Sequence, residues 1–209
     1  MSDVFNLRVP EEPALVAAEE ALERGELVVI PTDTVYGVAV RPDIDTATAK
    51  VFLSKGRSRD LTLPVLVADL EDAADVAVLD GRARALAAEF WPGGLTLVLP
   101  RTERARVWDL GEAADTVGVR VPDHVVTLSL LARTGPLAVT SANASGEPTP
   151  GDCDGVRAVL GDQVAVYLCE GPARLGVPSS VLDLTGEGLR VIREGAIPAE
   201  LLRAVIDEL

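Results

Sequence analysis

Hydroxyl and cationic side chains recur beside short apolar runs along nearly the whole chain. They stand in Pro31-Thr32-Asp33-Thr34-Val35-Tyr36-Gly37, Ser54-Lys55-Gly56-Arg57, Trp91-Pro92-Gly93-Gly94-Leu95-Thr96, Val119-Arg120-Val121-Pro122, Ser141-Ala142-Asn143-Ala144-Ser145-Gly146 and Pro178-Ser179-Ser180. Most of these motifs begin or end beside a run that reads as a strand, so their side chains can converge on one cleft. Such a cleft suits a small substrate carrying phosphate and carboxylate groups. Arg offers these a planar fork and Lys a point charge.

Each motif also has a plainer explanation. Lys55-Gly56-Arg57 taken alone reads as a solvated charged loop. Thr32, Thr34, Ser141, Asn143, Ser179 and Ser180, taken cluster by cluster, read as turn chemistry, because short polar side chains bond nearby backbone. Arg120 is harder to dismiss. It lies within the apolar run Val117 to Val121, where a charge needs an anionic partner or an opening in the sheet. Arg193 ends a strand and either covers a nucleotide or pairs with an acid.

Several chemistries are excluded. The chain has no G-x-x-x-x-G-K-[ST] and no G-x-G-x-x-G after its first strand, so it is neither a standard P-loop nor a standard dinucleotide-binding protein. Its single histidine, His124, stands where a helix begins, which leaves no Cys/His metal site of usual spacing and no plausible Ser-His-Asp triad. The net charge of −14 argues against stable nucleic-acid binding, which needs a basic surface. No apolar run approaches the ~20 residues that span a bilayer. The first residues, Met1 to Pro13, lack a signal peptide's apolar core, so cytoplasmic residence is expected. In that setting a disulfide between Cys153 and Cys169 is not expected unless the fold brings the two together.

The elements that must position these residues alternate. Helical spacing marks Glu11–Arg24, Asp45–Ser54, Asp80–Phe90, His124–Ala132, Cys153–Leu160 and Pro198–Leu209. Apolar runs mark strands at Leu27–Ile30, Leu63–Val67, Leu95–Leu99, Thr116–Val121, Leu137–Thr140 and Val164–Leu168, with a hairpin over Val181–Leu184 and Leu189–Ile192. Arg101–Ala114 reads as a polar, partly helical excursion, and Asn143–Asp154 as a long loop. The 209 residues fit one domain, since domains run roughly 100–200 residues. The expected fold is α/β, with a twisted mixed sheet flanked by helices.

The ordered set of motifs resembles the YrdC/Sua5 family, the threonylcarbamoyl-AMP synthases. The likeness runs from about Leu15 to Pro198 and includes PSSVLDL at Pro178–Leu184 and IREGAI at Ile192–Ile197. The chain is similar to the short bacterial form, a single YrdC-like domain over 1–209 with its core at about 11–198. The resemblance implies a deep substrate cavity and a nucleotidyltransferase reaction. L-threonine, bicarbonate and ATP, with Mg²⁺ carried on the ATP phosphates, give threonylcarbamoyl-AMP and pyrophosphate. This is the first step of the t6A modification of tRNA adenosine 37, and downstream t6A transfer proteins use the product.

Carried over by position, the resemblance gives Thr34, Arg120 and Ser179 to threonine, with Arg120 on its carboxylate. It gives Lys55 and Arg57 to the phosphates and the developing charge, and Thr116, Ser141, Asn143, Thr149 and Arg193 to the nucleotide site. No metal ligand in the protein is implied. Two positions depart from the family pattern. Leu61 stands where Asn or Lys is common, so a nucleotide contact there is either lost or supplied by Arg59. Ser179-Ser180 replaces the usual Ser-Thr. Two other functions compete: an RNA-binding or ribosome-assembly factor, which the acidic charge and 3% aromatics disfavour, and a module fed by carbamoyl phosphate.

Overall fold

Short apolar runs become strands and amphipathic runs become helices in the computed structural model, which describes residues 2–7 and 9–208. Met1, Arg8 and Leu209, the last being the expected end of the closing helix, lie outside the described residues. The strands are β1 (Asp3–Asn6), β2 (Leu27–Ile30), β3 (Gly37–Val40), β4 (Val65–Leu66), β5 (Leu95–Pro100), β6 (Thr116–Arg120), β7 (Leu137–Ser141), β8 (Val164–Cys169), β9 (Ser180–Asp183) and β10 (Arg190–Arg193). The helices are α1 (Glu12–Glu23), α2 (Asp45–Lys55), α3 (Leu70–Val76), α4 (Gly81–Phe90), α5 (Glu103–Arg106), α6 (Val125–Thr134), α7 (Cys153–Leu160) and α8 (Ala199–Asp207).

The strands form one ten-stranded mixed sheet in the order β1-β8-β2-β3-β7-β4-β6-β5-β9-β10. Neighbouring β2 residues alternate between two apolar layers, as strand geometry requires. Leu27 and Val29 join one layer with Val51, Phe52, Leu86 and Leu202, while Val28 and Ile30 join a second with Leu15, Leu22, Val126 and Leu130. The second layer, roofed by α1 and α6, covers the side of its face from β1 to β4. Over β6, β5 and β9 the first layer takes Val117, Val119, Leu95, Leu97 and Leu182. The alternate residues there point to a face that no helix fills.

Local chemistry sets the boundaries. Asp69, Asp80 and Asp152 cap α3, α4 and α7 by accepting backbone N–H groups. Gly56 ends α2 in the left-handed conformation, with φ +59°. β4 is shorter than the expected Leu63–Val67 because Pro64 has no N–H to give the ladder. Strands β1 and β3 and helix α3 were not foreseen. β1 pairs parallel with β8, a partner more than 150 positions away, and α3 rests on its Asp69 cap more than on apolar period.

Against the expectation from compartment, the fold brings the two cysteines together. Cys153 and Cys169 form a disulfide, with Cα atoms 5.5 Å apart. The expectation rested on cellular compartment, whereas the fold sets the first residue of α7 beside the last residue of β8.

Candidate active site

The uncovered face of the sheet holds an open cavity of about 850 Å³. Thr116, Gly118 and Arg120 from β6, Thr96 and Val98 from β5, and Val181 and Asp183 from β9 form its floor, every second residue of each strand. Gly118 keeps the floor low, since a Cβ there would stand 3.2 Å from Thr96 Cγ2. Thr32, Thr34, Arg57, Ser141, Ser179 and Arg193 rise around it from strand ends and loops. The convergence expected from the motifs is present.

Arg120 ends β6 at one end of this cavity and is 5% exposed. Its Nε donates to Gly93 O at 2.8 Å, Nη1 donates to Thr34 Oγ1 at 2.9 Å, and Nη2 donates to Asp33 Oδ1. The anionic partner demanded by its burial is therefore Asp33, from the chain itself. Burial draws the guanidinium below its ordinary range, and Asp33 offsets part of that pull. Thr32 Oγ1 donates to Val35 O at 2.6 Å and lies 3.0 Å from Thr34 Oγ1, so the Thr34 hydroxyl donates to Thr32. Opposite, Thr96 Oγ1 and Ser179 Oγ share a hydrogen bond of 2.9 Å. Thr96 stands in the WPGGLT motif but was not read as a site residue. A threonine inside an apolar run passes as a strand former, and only the alternation of β5 reveals it.

Arg193, on the last strand, donates from Nε and Nη2 to Ser179 O at 3.0 and 2.7 Å. This ties the two ends of the β9–β10 hairpin together at the cavity edge. Ser180, by contrast, points into the core. Its hydroxyl donates to Ile197 O at 2.6 Å and accepts from Gly195 N and Ile197 N at 2.9 and 3.0 Å. The missing methyl at that position thus falls in a backbone clamp, away from the cavity.

Arg57 lines the cavity, with Nε donating to Leu61 O at 2.8 Å and Nη2 to Thr62 O at 3.2 Å. Position 61 thus supports Arg57 through its backbone carbonyl, whatever its side chain. Burial lowers the Arg57 and Arg193 guanidinium groups below their ordinary range, and Asp60 offsets part of this for Arg57. Arg59 does not replace a polar residue at 61. It pairs with Asp109 and stacks 4.8 Å over the Phe52 ring, outside the cavity lining.

Lys55 and Asn143 lie behind the wall, not in the lining. Lys55 is 5% exposed, and its ammonium donates to Ser141 O, to Thr140 Oγ1 at 3.2 Å and to Asn143 Oδ1 at 3.2 Å. Burial, aided by the charge of Arg57, pushes this ammonium down to about 7. Thr149 is half-buried on the same loop and also stands off the lining. His124 precedes α6 and meets the Glu170 carboxylate through Nε2, away from the lining. At the end of the cavity opposite Arg120, Asp183 takes hydrogen bonds from Thr185 Oγ1 at 2.7 Å and Arg190 Nη2 at 2.6 Å. Among the described residues no His/Cys/Asp/Glu group is arranged to hold a metal, and no helix is long and apolar enough to cross a membrane.

The chain is similar in sequence and fold to several known proteins. A family profile described as "Telomere recombination" (Sua5, YciO, YrdC) matches residues 20–195. A Mycobacterium tuberculosis protein is 41% identical over 210 residues, covering 99% of this chain and 96% of its own. The threonylcarbamoyl-AMP synthase of Chromohalobacter salexigens is 38% identical over 177 residues, covering 83% of this chain and 94% of its own. The crystal structure of Pyrococcus abyssi Sua5 complexed with L-threonine superposes with a TM-score of 0.89 at 33% identity. It covers all of this chain, which spans 62% of that protein. From its motifs, its mixed sheet and these relatives, the chain belongs to the Sua5/YciO/YrdC family.

Proposed function

We propose that this chain is a threonylcarbamoyl-AMP synthase. The observation that carries the reading is the joint presence, in one cavity, of an Arg120–Thr34 corner suited to a carboxylate and an Arg57–Arg193–Ser141 rim suited to phosphates. In this reading L-threonine sits with its carboxylate on Arg120 and its side chain near Thr96 and Ser179. Its amine and bicarbonate form a carbamate, with loss of water. A carbamate oxygen then attacks the α-phosphorus of ATP, the bond to the β-phosphate oxygen breaks, and pyrophosphate leaves. No protein nucleophile is needed. Catalysis comes from alignment and from charge that Arg57 and Arg193 neutralise as it develops. Lys55, Asn143 and Thr149 act through the loop that carries Ser141.

Magnesium would be carried on the triphosphate, beside Arg57 and Asp60, and would supply charge neutralisation of the departing pyrophosphate. Of the lining carboxylates, Asp183 is already engaged by Arg190 and Thr185, so the triphosphate itself would hold the metal. In a cell the product passes to proteins that transfer the threonylcarbamoyl group to tRNA in the cytoplasm. With a net charge of −14, the chain itself should hold tRNA only weakly.

The test is pyrophosphate release from ATP and Mg²⁺, with L-threonine and bicarbonate supplied together and singly. Release that needs both supports the reading. Release driven by carbamoyl phosphate moves the chain to the carbamoyl-transfer class. No release, with sub-micromolar retention of structured RNA at physiological salt, moves it to the RNA-binding class.

A further inference from the structure

We propose that Asp33 is a positioning residue for this reaction. Its buried carboxylate fixes the rotation of the Arg120 guanidinium so that two N–H groups, one on each terminal nitrogen, remain as a fork for the substrate carboxylate. The inference rests on the threonine reading of that end of the cavity and deepens it.

Arginine has five N–H donors. Gly93 O takes the one on Nε, Thr34 Oγ1 takes one on Nη1, and Asp33 Oδ1 takes one on Nη2. One donor therefore stays free on each terminal nitrogen, and Arg120 belongs to the cavity lining. A planar fork of this kind is worth most when it is held in one orientation before the anion arrives. Gly93 O and Thr34 Oγ1 are neutral acceptors. Asp33 supplies the charged contact.

Asp33 is well placed for this work. It is 3% exposed and lies outside the cavity lining, so it reaches Arg120 from behind and does not touch a bound substrate. It is itself held. Oδ1 also accepts from Asp123 N at 3.1 Å, and the Asp33 carbonyl accepts from Leu175 N at 3.2 Å. Asp33 thus links the β6 end and the turn before α6 through its carboxylate, and the segment leading to Ser179 through its main-chain carbonyl. Its negative charge offsets part of the burial that depresses Arg120.

The test compares Asp33→Asn with the unsubstituted chain. Threonine affinity should fall roughly ten- to hundredfold, the scale of a lost charge-assisted hydrogen bond, while KM for ATP stays within about threefold. The preference for L-threonine over L-threonine amide, which lacks the carboxylate, should shrink in parallel. In an Arg120→Lys background the effect of Asp33→Asn should largely vanish, as expected of residues acting as a unit. Equal rises in both KM values, or an undiminished effect in the Arg120→Lys background, would overturn the proposal. Should the variant fail to fold, ¹⁵N spectra of arginine side chains in the unsubstituted, ligand-free protein decide. Separate, slowly exchanging Nη signals for Arg120 support a fixed guanidinium, and one averaged signal overturns it. Failure of the unsubstituted chain to bind L-threonine would overturn both this proposal and the reading beneath it. Binding that Asp33→Asn leaves unchanged would overturn this proposal alone.

Discussion

The Lys55 ammonium and the Asn143 side-chain oxygen lie 3.2 Å apart across 88 positions of sequence. The last turn of α2 is thereby fastened to the loop that follows β7, and the Ser141 carbonyl takes a second bond from the same nitrogen. A lysine that the family resemblance sets on the substrate phosphates stands in the fold as the anchor of the loop that presents Ser141.

That anchor should be pH-sensitive. With Lys55 pushed down to about 7 by burial, loss of its proton leaves two donors for four acceptors, Thr140 Oγ1, Ser141 O, Ser141 Oγ and Asn143 Oδ1. In the free enzyme kcat/KM for ATP should decline as pH rises through about 7, and Lys55→Arg should move the decline to higher pH. A flat profile through that region would count against the anchor.

The same group gives a stability slope of defined sign. Its folded value of about 7 lies below the ordinary 10.5, so between those values the unfolded chain holds more protons. Stability from this group therefore rises with pH across that window, and its full cost stands below about 7. Comparing unfolding free energies of the native chain and Lys55→Met at the two ends of the window should show the slope only in the former.

Arg120→Ala should raise KM for threonine far more than KM for ATP. It should also destabilise the fold by about 3–5 kcal/mol, because Asp33 is left buried without its partner. Arg120→Lys keeps the charge and loses the fork. It should retain most of the stability while still weakening threonine, a separation readable from thermal unfolding beside steady-state kinetics.

Gly195→Ala tests the hairpin edge. A Cβ at Gly195 would lie 2.2 Å from Pro178 O and 2.6 Å from Ser179 C. These are backbone atoms that can move only by displacing Ser179. The expected cost is about 1–3 kcal/mol, with threonine KM raised. Unchanged stability and kinetics would mean that the turn carrying Gly195 can shift freely.

Reduction of Cys153–Cys169 opens a link between positions 16 apart, for which loop-closure entropy gives about 3 kcal/mol. Unfolding midpoints with and without reductant, and for Cys153→Ser with Cys169→Ser, should differ accordingly. Identical midpoints would show that the link contributes little.

Much of this was legible in the sequence where chemistry is local. Leu27–Ile30, Thr116–Arg120 and the β9–β10 hairpin announce themselves through apolar runs and turn residues. Arg120 announces itself as a charge in an apolar run. What was hidden depends on distant partners. β1 has meaning only beside β8. The inward turn of Lys55 depends on where β7 ends. Asp33 stands in the first motif without a role until Arg120 is seen against it. Thr96 and Gly118 become floor residues only when β5 and β6 lie side by side. The cysteines pair only because α7 approaches β8, the condition that compartment could not decide.

The cavity draws its lining from Thr32 through Arg193, and the β5–β9 pairing closes its last side. The lining is complete only when β10, with Arg190, Ile192 and Arg193, has docked. From then on, substrate occupancy should protect the entire domain from proteolysis, not merely the loops it touches.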